Sequence, residues 1–194
     1  MSEMRSGLPI IGFADEADFE RWIEAQPPDA TGLWVKFAKK ESGVVSVSKA
    51  EAIDVALCQG WIDGQLDTYD DAFWLTRFTR RKPRSRWSQV NQTRALQLIA
   101  QGRMRSAGLA QVEAAKADGR WEAAYAPAST AEAPPDLMAA LAENPQAAAF
   151  FATLKSANRY AILYRIGAVK KPETRARKII DFVAMLERGQ TIYD

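Results

Sequence analysis

Residues 60–88 read GWIDGQLDTYDDAFWLTRFTRRKPRSRWS. Phe73 to Arg80 alternates and is rich in aromatic and β-branched residues, which is the pattern of a strand with two distinct faces. Trp61 to Leu66 reads as a strand before it, and Asp67 to Asp71 as the polar turn between them. Arg81 to Trp87 leaves the pattern, because Pro83 lacks a backbone N–H and restricts the residue before it. Ser88 then caps a helix running to Gln101, with Val90, Leu98 and Ile99 expected inward.

On the N-terminal side, Leu33 to Ala38 (LWVKFA) adds a strand, and Lys39 to Val47 reads as a loop or hairpin around Gly43. Ser48-Lys-Ala-Glu51 is a capping box opening a helix with Ile53, Ala56 and Leu57 inward, stopped by Gly60. Ala14 to Ala25 predicts a first helix with a Phe19, Trp22, Ile23 stripe, and residues 1–12 read as a loose lead-in. On the C-terminal side, Ser106 is expected to cap a helix with Leu109 and Val112 inward, and residues 121–133 are linker-like. Pro135, Pro145 after an Asn144 cap, a Ser156 cap and Pro172 then open four more helices. Ile179, Ile180, Val183 and Leu186 form the inner face of the last. The expectation is an α+β protein: a small antiparallel sheet of about three strands flanked by helices over residues 13–120, then a helical C-terminal portion over 134–190, packed on it or linked to it.

Composition removes several chemistries. Histidine is absent and Cys58 is the single cysteine, so no Ser-His-Asp or Cys-His arrangement exists and no metal site is expected. No phosphate-loop or dinucleotide fingerprint occurs, and no cofactor is expected. No apolar run approaches the roughly 20 residues of a membrane span. The N-terminus shows no secretory pattern, which points to the cytoplasm. Cys58 reads as a buried, inert thiol.

The charge is uneven although the net charge is only +2. Asp15 to Asp71 holds thirteen acids against five bases, whereas Ala72 to Val112 holds nine bases and no acid. Guanidinium forks suit carboxylate and phosphate, so Arg77, Arg80, Arg81 and Arg84, with Ser85 and Trp87, are candidates to clamp an anionic small molecule or an acidic protein surface. The competing reading pairs these arginines with the chain's own acidic half. Nucleic acid is a less favoured partner, because the chain is only weakly basic and carries no known binding motif. Lys170, Lys171, Arg175, Arg177 and Lys178 read as a solvated helix start, or as a second anionic contact.

Strand parity yields a second candidate. It allows an apolar face of Leu33, Val35, Phe37, Ile62, Leu66, Phe73 and Leu75. The opposite face would gather Trp34, Lys36, Trp61, Asp63, Gln65, Trp74 and Arg80 into an aromatic pocket with a few polar groups. Alternatively, helices cover that face and Asp63 pairs with Lys36 or an arginine. Asp63 is a possible general base and Tyr69, Tyr160 and Tyr164 possible acids, but no spacing selects a reaction, and the reading leans away from catalysis.

GLWVKFAKK (32–40), AEAIDVALCQGWIDGQ (50–65), FWLTRFTRRKPRSRWS (73–88), SANRYAILYR (156–165) and KKPETRARKI (170–179) together resemble the YdeI/OmpD-associated family, often labelled bacteriocin-protection proteins. The resemblance runs from about Phe13 to Gly189. It implies a role in bacteriocin or cationic-peptide tolerance and an association with outer-membrane porins, and it supplies no catalytic residues. The combined expectation is a non-catalytic stress-tolerance protein that binds an anion or acidic partner through its arginine-rich loop. A small-molecule site or enzyme on the Trp61/Asp63/Gln65 face, and nucleic-acid binding, remain alternatives.

Overall fold

A computed structural model of the protein describes residues 3–194. The chain divides into two compact units, Met1–Ala124 and Tyr125–Asp194.

The first unit is built on a five-stranded mixed sheet in the order β1-β2-β3-β5-β4. The strands are β1 (Met4–Arg5), β2 (Leu8–Gly12), β3 (Leu33–Ala38), β4 (Trp61–Thr68) and β5 (Phe73–Arg80). The three expected strands are present, and the lead-in supplies two more. Short length and Pro9 hide β2 from its sequence. Pro9 has no N–H to give, and the parallel pairing with β3 begins one residue later, at Ile10 opposite Trp34. Because β2 runs parallel to β3 while β5 is antiparallel to both β3 and β4, the sheet is mixed rather than antiparallel.

Helix α1 (Glu16–Glu24) forms the crossover between β2 and β3. Asp15 caps it by accepting the Asp18 N–H at 2.9 Å. Helix α2 (Lys49–Cys58) opens on the expected capping box: Ser48 N–H donates to Glu51 Oε2 at 2.8 Å, and Glu51 N–H donates to Ser48 Oγ at 3.2 Å. The backbone and side-chain hydrogen bonds from Ser48 hold the Glu51 carboxyl below its ordinary range. Gly60, at φ +72°, turns the chain out of α2 into β4. Both helices cover one sheet face, where Phe19, Ile23, Ala52, Val55 and Ala56 pack on Leu33, Val35, Phe37, Trp61 and Phe78. The opposite face carries a smaller cluster of Leu8, Ile10, Trp34 and Leu75.

Helices α3 (Gln89–Ala100) and α4 (Ser106–Ala117) form a second core with the end of α2, around Leu57, Trp87, Ala95, Leu98 and Val112. Val90 and Leu109, expected inside, are exposed instead. The buried face of α4 is Gly108, Val112 and Ala115. A Cβ at Gly108 would stand 2.4 Å from the Cys58 carbonyl oxygen and 2.5 Å from that of Leu57, so glycine is required for this close approach.

The second unit consists of α5 (Pro135–Ala142), α6 (Pro145–Thr153), α7 (Ser156–Gly167) and α8 (Pro172–Glu187). They close over Leu137, Leu141, Phe151, Ile162, Ile166, Phe182 and Leu186. Ile180, expected inside, is 65% exposed. Among the described residues, no helix is long and apolar enough to cross a membrane.

Candidate functional site

Register decides which candidate residues meet. In the β3–β5 ladder Leu33 faces Phe78, Val35 faces Thr76 and Phe37 faces Trp74. In the β4–β5 ladder Trp61 faces Arg80 and Asp63 faces Phe78. Directly opposed residues share a sheet face, so Trp61, Asp63, Trp74 and Arg80 lie on the side covered by α1 and α2. Trp34 and Lys36 lie on the other side, opposite Arg77 and Leu75. The expected constellation is therefore divided. Parity held within β3 and β5 but not along β4, where the register shift after Asp63 puts Leu66, opposite Thr76, on the same face as Asp63. The choice of which faces to unite also required the register, which alternation alone does not fix.

Each member has a defined environment. Trp61 is fully buried, edge-on to Trp22 with centroids 6.0 Å apart. The Arg80 guanidinium lies 5.2 Å from the Trp61 ring and donates to the carbonyls of Gln26 at 2.9 Å and Pro27 at 3.0 Å. Both are thus committed to packing. Asp63 is half-buried with Lys49 Nζ at 4.0 Å, so its cation is neither Lys36 nor an arginine. Gln65 is exposed in the register shift between Asp63 and Leu66. On the far face, the Lys36 ammonium sits over the rings of Tyr69 at 5.0 Å and Phe73 at 5.3 Å. Tyr69 donates its hydroxyl to Glu3, which raises the phenol's pKa.

Eight of the nine bases of residues 72–112 separate into three groups. Arg94 pairs with Asp54 at 3.1 Å, Arg103 with Glu16, and Arg105 with Glu20 at 3.0 Å and Glu24 at 3.6 Å. These three serve the pairing with the chain's own acidic half. Arg80 and Arg81 are built into the fold. Arg81 is buried, with its guanidinium 3.7 Å from the Trp87 ring centre and Nη1 donating to the Arg86 carbonyl at 3.3 Å. Trp87 is also buried, against Trp121 at 4.9 Å. Neither Arg81 nor Trp87 is available to clamp a ligand as the sequence suggested.

Arg77, Lys82 and Arg84 remain exposed, and none has a salt-bridge partner among the described residues. Lys82 and Arg84 belong to one tight turn. Ser85 N–H donates to the Lys82 carbonyl at 2.9 Å, and Lys82 N–H donates to Ser85 Oγ at 2.9 Å. Pro83 takes the second position, where its fixed φ suits such a turn. Arg120 anchors the turn by donating from Nη1 to the Ser85 carbonyl at 3.0 Å. The segment expected to resist regular structure is a braced turn that presents two cations.

One cleft was not anticipated. It has a volume of about 320 Å³ beside the start of α2, and Trp74, Lys39, Lys40 and Lys49 line it. Trp74 and the LWVKFAKK block were singled out in the sequence, but only the β3–β5 pairing brings them together.

Residues 11–111, more than half of the chain, match the family model described as Domain of unknown function (DUF8412). Residues 130–189 match the model described as Bacteriocin-protection, YdeI or OmpD-Associated. The GWIDGQ and arginine-rich blocks fall in the first match, and KKPETRARKI in the second. No curated protein and no solved structure gives a significant match. The chain belongs to the DUF8412 family, and its residues 130–189 carry a match to the YdeI/OmpD-associated, bacteriocin-protection domain.

Proposed function

We propose that this YdeI/OmpD-associated protein acts without catalysis, as a stress-tolerance protein that binds an anion or an acidic partner through the 82–85 turn. The supporting observation is the division of labour among its bases. Arg94, Arg103 and Arg105 are spent on internal ion pairs, and Arg81 on the turn's own support. Lys82 and Arg84 are held outward on a short, doubly hydrogen-bonded scaffold. Preordering cations in this way lowers the entropy cost of binding. An unbraced basic loop would not share that advantage.

The test is thermal stability of the full chain against pyrophosphate and citrate at low millimolar concentration, where general salt stabilisation is small. A ligand at ten times its Kd contributes about 1.4 kcal/mol by linkage. The wild-type melting temperature should rise, and the K82A/R84A double variant should lose most of that rise. An equal rise in both proteins rejects the turn as the site. Retention of unrelated duplex DNA with steep salt dependence would favour the nucleic-acid reading instead.

A further inference from the structure

The cleft beside the start of α2 is separate from the 82–85 turn, and its chemistry is different. Its volume of about 320 Å³ falls at the small end of the roughly 300–1,000 Å³ typical of small-ligand sites. Trp74 stacks on buried Phe37, with centroids 4.8 Å apart and planes at 29°, so the indole is held in a fixed plane. Trp74 itself is only half-buried and lines the cleft with its remaining surface. Val44 and Val45, 45% and 84% exposed, form an apolar lip.

Three lysines complete the wall, and no acid lines it. Lys49 Nζ lies 5.7 Å from the Trp74 ring centre. Lys39 is steadied by donating to the Asp70 carbonyl at 2.7 Å, and Lys40 is exposed. Among the described residues, one carboxylate forms an ion pair with these lysines, Asp63 at 4.0 Å from Lys49 Nζ, so Lys39 and Lys40 keep their charges unpaired by an acid. The two serine hydroxyls of the wall already serve the fold: Ser46 Oγ accepts the Ala38 N–H, and Ser48 Oγ accepts the Glu51 N–H. Recognition therefore falls to ring stacking and to the ammonium groups. A bare inorganic anion would leave the indole and the valines unused, and an uncharged ring would leave the lysines unused.

We propose that this cleft binds a small planar aromatic anion, its ring against Trp74 and Val45 and its carboxylate or phosphate toward Lys40 and Lys49. The test is calorimetric titration of the full chain with naphthoate and with adenosine monophosphate. Inorganic phosphate serves as the ringless control and adenosine as the uncharged one. At least one ring-bearing anion should bind roughly tenfold or more tightly than either control, the scale of one aromatic stacking contact. Trp74→Leu should weaken that binding by about the same factor, and Lys40→Glu, at an exposed position that does not endanger folding, should weaken it severalfold. K82A/R84A should leave it unchanged. Response to naphthoate alone assigns a carboxylate ligand, and response to adenosine monophosphate alone a phosphate ligand. The proposal fails if neither anion binds, if a control binds equally well, if Lys40→Glu has no effect, or if K82A/R84A abolishes binding.

Discussion

Arg81 and Arg84 stand three positions apart in one arginine-rich run and have different fates. The first lies flat on Trp87 inside the unit, and the second is exposed on the turn that this stack supports. The sequence shows the charges but not which of them faces a tryptophan, because stacking is settled by tertiary packing. Cys58 is the converse case, a residue whose inertness was readable from composition. It is 3% exposed, and burial pushes its thiol pKa up to about 11, with Arg103 opposing the shift. The folded state therefore keeps a proton that the unfolded chain releases near pH 8.5. This contribution to stability is complete below that pH and is lost as pH rises through about 11. The wild-type advantage over Cys58→Ala should shrink steadily between those limits, measured by urea unfolding. A constant difference across that range would show the thiol to be unperturbed. Aromatic disulfide reagents should also label the native protein far more slowly than the denatured chain.

Among the elements, three of the five side-chain caps expected from the sequence are present, whereas Ser106 and Ser156 are the first residues inside their helices and cap nothing. Ser48, Ser88 and Asn144 each accept from the backbone N–H three residues on, at 3.2, 3.1 and 3.0 Å. Such local chemistry needs no knowledge of distant partners. The buried face of α4 was not readable by hydrophobicity, since it is made of Gly108, Val112 and Ala115 so that the helix can reach the α2 carbonyls. The basic start of α8 carried a role that its composition concealed. Arg175 donates from Nε to Asp136 Oδ2 at 2.5 Å, from Nη2 to Asp136 Oδ1 at 2.9 Å, and from Nη1 to the Ile166 carbonyl at 3.0 Å. One guanidinium thus ties together α5, α7 and α8. The same hydrogen bonds hold the Asp136 carboxyl below its ordinary range and raise the Arg175 pKa. Arg175→Lys keeps the charge but cannot span three acceptors in a plane. It should cost about 1 kcal/mol in chemical denaturation. The deficit should persist at high salt, because the loss is of geometry more than of charge. A lysine variant as stable as wild type would reduce this contact to a solvated surface pair.

At the scale of the whole molecule, the two units carry separate cores and different reporters. The clusters around Phe19, Trp87 and Trp34 lie within Met1–Ala124, and the cluster around Ile162 lies within Tyr125–Asp194. All six tryptophans belong to the first unit. Tryptophan emission therefore follows the sheet unit alone, while far-ultraviolet ellipticity follows the helices of both. A smaller chain segment buries a smaller fraction of its surface, so the helical unit should unfold at the lower urea concentration. The expected outcome is an ellipticity curve with an early phase that tryptophan emission lacks, and a fragment of residues 125–194 that reproduces that phase on its own. Superimposable curves, together with an unfolded fragment, would mean that the two cores form one cooperative system. The distinction bears on function as well as on folding. The braced 82–85 turn and the lysine–tryptophan cleft both lie in the first unit, whereas the YdeI/OmpD-associated match lies in the second. If residues 1–124 alone retain both binding responses, ligand recognition belongs to the DUF8412 unit and does not need the unit that carries the bacteriocin-protection match.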